Sequence, residues 1–488
     1  MTLSAARRKR IDRIVAVAIA VVVIAVGVVV YLTSDARATN SATAAAGEVP
    51  SSAGNIPSSL RQSWSLPTNP ELGAVASPYG TVVTADATGV TGHDAVTGDV
   101  RWSYGRDEPL CAVGSGDADA PGVESRGKVR GVMVVSEKNG YCSQQMLLDP
   151  ATGERHYYRT SPNQPLGSLV FGGPYAGWLG PSLVELWRDD LVRTIQYGDL
   201  PSPPKPNAAH TGCTFTDIAL ADVQFATVEH CDGQGPNARV MINWSTPDSA
   251  PDKPDDQDVF KHDQRANIDT GAPAARIVGI TADRVAVLVS APQPAVVVYD
   301  EKGTETSRTP VDIPARSIVA ADALTSDGRT SPTPAVQDGT ARYSLIGDLL
   351  LGVTSDTVQV PVPQTTTPSS VTDAAAPTVG FLAGTTTASA AVPTTETKSV
   401  KNLVVRWTKN GALGLPAVVT DNVLMPVKGG LEVFVAESGT TTDGARTGIV
   451  QGRIPVDRAG YAGRVDAAAV GTMIIETRRD RVVGLTAS

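Results

Sequence analysis

Charged residues are sparse in this sequence. Charged residues make up 19% of the 488 positions, and the formal net charge is −9. A general nucleic-acid binder needs a basic surface to meet phosphate, so that role is excluded. Histidine is scarcer still: His93, His156, His210, His230 and His262 are the five. No H-x-x-x-H or C-x-x-C spacing occurs, which argues against a zinc site. The G-x-S-x-G elbow and the S-x-x-K motif are missing. Gly-Gly pairs read as turn residues and not as a phosphate-binding loop. The acidic run Asp252–Asp258 lacks the Gly and distal Glu of a calcium loop, and Asp117–Asp119 is similar; both read as solvated loops. No residue is therefore assigned a catalytic, cofactor-binding or metal-ligating role, and no cofactor is expected.

Long hydrophobic runs are absent too, with one exception. Ile14–Leu32 carries no charge and is almost all Val, Ala and Ile, directly after the basic cluster Arg7, Arg8, Lys9, Arg10 and Arg13. At about 1.5 Å per residue this run spans roughly 28 Å, close to a bilayer's hydrocarbon core. Basic flanks stay cytoplasmic, so residues 1–13 form a cytoplasmic tail and everything after Leu32 lies outside. Cleavage as a signal peptide at Ala36-Arg37-Ala38 is the alternative, but the run exceeds the roughly 7–15 residues of a signal core, which favours a retained single-pass anchor in the cell membrane. No cysteine follows closely enough for an N-terminal lipid anchor. The four cysteines, Cys111, Cys142, Cys213 and Cys231, then lie in an oxidising compartment and imply two disulfides. Sequential pairing, 111 with 142 and 213 with 231, is the simplest of the three connectivities.

The rest divides by composition. Thr33–Ser59 is rich in Ser, Thr, Ala, Gly and Pro without apolar periodicity, and reads as a flexible stalk. A second biased stretch, 361–398, is flanked by strand-like segments and reads as an insertion inside one repeat. Pro201–Asn207 and Pro251–Asp258 read as shorter loops. Elsewhere, short runs of Val, Ile, Leu, Thr and Tyr are bounded by turn residues, the signature of antiparallel hairpins. Asn139-Gly140 between Val132–Val135 and Tyr141–Leu148 is the clearest of these. Usage poor in Lys and rich in Ala, Val and Thr suggests a GC-rich bacterium such as an actinobacterium.

A repeat stands out. His93–Trp102 (HDAVTGDVRW) matches Leu148–Tyr157 (LDPATGERHY), with the shared pattern D-x-x-T-G-[DE]-x-x-[WY]. Asp94 and Asp149 end a strand and cap a turn; Thr97-Gly98 and Thr152-Gly153 make it, the glycines supplying positive φ. Trp102 and Tyr157 start the next strand as large apolar payload for blade packing. Tyr299–Gly303 and Leu403–Trp407 are weaker echoes. The pattern resembles the repeat of quinoprotein dehydrogenase-like β-propellers, a group that includes the propeller lipoprotein of outer-membrane assembly machinery. The resemblance implies an all-β propeller over 60–488, eight blades favoured over seven. The segments Leu183–Tyr197 and Val223–Ile242 fit only by strand rhythm. The final repeat stops after Arg481–Leu485, before its aromatic outer strand, and Arg61–Leu66 with Trp64 supplies it; the N-terminal strand closes the last blade.

Quinoprotein enzymes hold their quinone with adjacent cysteines, a stacking tryptophan and a calcium site. This chain has no adjacent cysteines, and Trp64, Trp102 and Trp407 stand at repeat positions. A propeller channel gathers residues from distant blades, so paired carboxylates stay open. Three readings follow, since fold alone does not fix function. The first is a non-enzymatic interaction or scaffold module docking an envelope protein or polymer. The second is a quinoprotein-like or other small-molecule oxidoreductase. The third is a ligand-sensing ectodomain acting through a partner.

Overall fold

The computed structural model describes residues 5–32, 34, 37–51, 56–116, 131–200, 211–245, 264–318, 333, 335–338, 341–361, 397–420, 422–435 and 450–488. Ala5–Leu32 is one helix, long and apolar enough over Lys9–Leu32 to cross a membrane. Its apolar side chains are exposed: Ile14 is 62% exposed and Ile24 65%. It fits a single-pass anchor.

All the remaining sheet structure is antiparallel. Among the described residues it forms eight sheets, seven of four strands and one of five, each built on four strands in up-and-down order, which are the blades of a propeller. Blades 1 to 7 occupy residues 74–106, 110–160, 168–198, 213–269, 275–310, 335–409 and 417–455. Blade 8 takes three strands from 465–487 and its outer strand from Leu60–Pro67, paired Leu60↔Ala487 through Pro67↔Arg481. The expected closure by the N-terminal strand is what the register shows. First strands lie against one another from blade 1 to blade 5 and from blade 7 through blade 8 back to blade 1; the first strand of blade 5 meets the second and third strands of blade 6, and a shared apolar cluster joins blade 6 to blade 7, so the ring closes.

The core is divided into eight clusters, and each lies between two consecutive blades. Strand alternation explains this. Val132 and Val134 face blade 1, whereas Met133 and Val135 face blade 3. Val285, Val287 and Val289 face blade 4, and Ala286 and Leu288 face blade 6. A middle strand is buried on both faces, so it reads as a continuous apolar run and not as an alternation.

Two expectations are corrected. The stalk over Thr33–Ser59 is not free along its described length. Thr39–Ala42 adds a fifth strand to blade 1 (Thr39↔Arg106, Ala42↔Ser103), and Ala44 N donates to Thr152 O. The outer strand of blade 1 offers an open edge, and backbone pairing does not need an apolar sequence. The long hairpin of blade 6 is the other change: its strands Leu349–Pro361 and Thr397–Lys409 pair as far as Pro361↔Thr397. The biased stretch therefore joins two adjacent strands of one blade over 362–396. That interior, the acidic runs at 117–119 and 252–258, the loop 201–207, and His210 and His262 lie outside the described residues.

Candidate functional site

The repeat turns are built alike. Asp94 Oδ1 accepts from Val96 N and Thr97 N at 2.9 and 3.1 Å, and Thr97 Oγ1 accepts from Asp99 N. Asp149 does the same for Ala151 and Thr152, both at 2.8 Å. Asp300 holds Lys302 N and Thr304 N. Gly98 and Gly153 adopt φ of 80° and 74°, which a side chain rarely tolerates. Each of these aspartates spends its Oδ1 on two backbone N–H groups.

The tryptophans stitch blades through the same turns. Trp102 lies across Gly92, its register partner, and its Nε1 donates to Pro150 O in blade 2 at 3.0 Å. Trp64 lies across Gly484 and donates to Ala95 O in blade 1 at 3.1 Å. Gly153 and Gly98 pack under these indoles, where a Cβ would come within 2.7 and 2.9 Å of the ring. Trp407 lies across Gly352 and packs edge-on against Phe434 of blade 7, centroids 4.7 Å apart. Tyr157 breaks the pattern and is corrected: it is 47% exposed. Its register partner is Leu147, not glycine, so the ring has no floor to lie on.

Buried polar groups complete the seams. Arg106 Nη1 donates to Gln144 Oε1 between blades 1 and 2. Glu185 of blade 3 accepts from Ser161 Oγ at 2.6 Å and from Trp187 Nε1 at 2.8 Å, with Arg159 Nε 3.5 Å away. Burial holds the Arg159 guanidinium below its ordinary range, and Glu185 pulls it back up. Tyr197 of blade 3 donates to Glu229 of blade 4 at 3.0 Å. Burial pushes the Glu229 carboxyl up to about 7, against the Tyr197 hydrogen bond and Arg239, which lower it. Arg458, on the link from blade 7 to blade 8, donates to Val427 O and Gly430 O of blade 7 and to both oxygens of Glu476 in blade 8. Arg478 donates to the same carboxylate at 2.7 Å.

Asp217 gathers three blades. It sits fully buried on the first strand of blade 4. Its Oδ2 accepts from Ile277 N of blade 5 and its Oδ1 from Thr333 N, just ahead of blade 6, both at 2.8 Å; Thr333 Oγ1 also donates to it. Arg342 of blade 6 stands near: burial lowers its guanidinium and Asp217 raises it. The Asp217 carboxylate is committed to backbone and hydroxyl donors.

The disulfides are Cys111–Cys142, Cα atoms 5.9 Å apart, and Cys213–Cys231, 4.0 Å apart. Sequential pairing is what the structure shows. Cys213, Glu229 and Cys231 bring three ligand-type atoms within 4.8 Å of one another. Both sulfurs are consumed by the disulfide, so no thiolate is offered to a metal. His93 is buried between Thr84 Oγ1 and Gly98 O, its pKa lowered by burial. His156 lies 3.8 Å from Asp149 on the surface. Glu185, Asp217, Glu229 and Glu476 went unremarked in the sequence. Their signal is a lone acid inside an apolar strand, as in Leu183-Val184-Glu185-Leu186-Trp187 or Ile474-Ile475-Glu476.

Eight closed blades and one N-terminal apolar helix define the class: an eight-bladed β-propeller behind a candidate membrane span. No protein-family model matches the chain, and no curated protein matches its sequence. Solved structures of similar fold include BamB from Moraxella catarrhalis, at 10% identity and a TM-score of 0.40, covering 88% of this chain and 99% of that one. The quinohemoprotein alcohol dehydrogenase ADHIIG from Pseudomonas putida HK5 follows at 11% and 0.39, covering 88% and 76%. The computationally designed Ika8 protein stands at 10% and 0.45, covering 91% and 100%. The resemblance carried by the repeat holds at the level of the fold, and these likenesses carry no functional argument.

Proposed function

We propose that this chain is a membrane-anchored, extracytoplasmic docking module of the cell envelope, acting by binding a protein or polymer and not by catalysis. The observation that carries the reading is the pairing of one apolar, exposed helix with a body holding two disulfides. Disulfides persist in oxidising compartments, which favours placing the propeller outside and the basic tail inside. The docking half is supported by the use of the buried polar groups. Glu185, Asp217, Glu229 and Glu476 each bridge blades or blade links through hydrogen bonds, so they serve rigidity. A rigid ring is a scaffold on which the connections between strands can carry binding residues.

The test is in-cell crosslinking of the tagged full-length protein, then affinity purification and mass spectrometry. One recurrent envelope partner, lost when the propeller is removed and the helix kept, is the expected result. Purified ectodomain carrying a bound quinone or calcium instead would overturn the reading.

A further inference from the structure

The chain between the apolar helix and the ring follows a fixed route. In an up-and-down blade, the connections after the first and third strands lie on one face, and those after the second and fourth lie on the other. The outer strand of blade 1, Val100–Arg106, runs from the former face to the latter. Thr39–Ala42 pairs with it antiparallel, so Thr39 starts at the second face and Ala42 ends at the first. There Ala44 N donates to Thr152 O in the third-to-fourth turn of blade 2, and Arg101 Nη2 donates to Ala45 O. Pro50 lies over Gly80 and Gly471, in the first-to-second turns of blades 1 and 8, where an added Cβ would meet its ring at 2.6 and 2.5 Å. The chain then enters blade 8 at Leu60.

This strap shortens the tether. A free linker over residues 33–59 reaches up to about 90 Å when extended, whereas the seven steps from Leu32 to Thr39 reach about 24 Å at most. The tether also meets the ring at one point: the second face, at the rim of blade 1.

Resting on the anchored reading above, we propose that the strap fixes the propeller's pose on the lipid surface. The face carrying the connections after second and fourth strands is held toward the bilayer headgroups at blade 1. The opposite face, on which first and third strands end, is turned away from the lipid.

The experiment uses full-length protein in nanodiscs containing acceptor-labelled lipid. A donor dye is placed on Ala87→Cys, in the second-to-third turn of blade 1, or on Val96→Cys, in its third-to-fourth turn; both positions are exposed. Strand Gly89–Asp94 separates them by about 20 Å, so transfer to lipid is expected to be about twofold greater from position 87. Breaking the strap with Asn40→Pro and Ser41→Pro together should erase the difference. So should a long Gly-Ser insertion after Ala38, which leaves the pairing intact. Equal transfer from both labels in the intact protein, or greater transfer from position 96, overturns the pose while leaving the anchor standing. Protein that does not associate with the discs overturns the anchored reading itself.

Discussion

Glu229 faces two opposed pressures: burial favours its neutral form, and Tyr197 and Arg239 favour the charged one. Burial wins, and the carboxyl is pushed up from 4.5 to about 7. Between these values the folded protein holds a proton that the unfolded chain has released. Stability therefore falls as pH rises through this window, is unaffected below it, and above it is lower by roughly 3 kcal/mol. Glu229→Gln still accepts the Tyr197 hydrogen bond but cannot charge. Thermal melts from pH 4 to 8 should show a flatter profile for the variant and a higher Tm at pH 8. A variant that tracks the parent at every pH would sink this account. Gly92 is a second sensitive position. An added Cβ would sit 2.1 Å from the Trp102 ring, so Gly92→Ala must displace the indole. A loss of about 1–3 kcal/mol is expected, with a red shift in tryptophan emission as the ring leaves its seam. An unshifted emission with unchanged stability would contradict the stitch.

Among the elements, the seams between blades decide stability, because each core cluster belongs to two blades at once. The blade 7–blade 8 seam rests on Arg458, Arg478 and Glu476, whose side chains are 3, 5 and 0% exposed. Glu476→Ala strands two buried guanidiniums and should cost about 3–5 kcal/mol, read as a lower denaturant midpoint. Replacing all three with apolar residues of similar volume should recover most of that loss; failure to recover would mean that the carboxylate does more than neutralise its partners. At this scale the sequence was most legible where a local pattern carries the contact. The Thr-Gly turns, the hairpins and the Trp102 indole over Gly92 are all local. Tyr157 was misread because the deciding residue, Leu147, belongs to the neighbouring strand and not to the motif. The acids were missed because a lone Glu in an apolar strand gains its meaning from a partner on another blade. Thr39–Ala42 was missed because an edge strand paired through backbone alone needs no apolar pattern, and TNSA has none.

For the molecule as a whole, the ring is a closed circuit whose last contact joins its two ends. A chain starting at residue 39 keeps Leu60–Pro67 and should yield a soluble, cooperatively melting body. A chain starting at residue 68 loses Trp64 and bares the edge of Arg481–Ala487, an open template for pairing with other chains. It should aggregate, as light scattering during refolding would register. A soluble monomer from the shorter chain would show that the N-terminal strand is dispensable. Blade 8 was foreseeable because its two halves are each incomplete in a recognisable way. The count of eight was harder, since blades 3 and 4 lack the repeat turn and keep only the strand rhythm.

The shared last blade also sets an order in time. Leu60–Pro67 leaves the ribosome among the first residues of the body, and its partner Arg481–Ala487 leaves last. At about 5–20 residues per second, synthesis of the intervening stretch takes roughly 20–80 s, during which the early strand has no mate. The ring thus tests its own completeness. A message cut short leaves a body that cannot lock, with the edge of its last blade open.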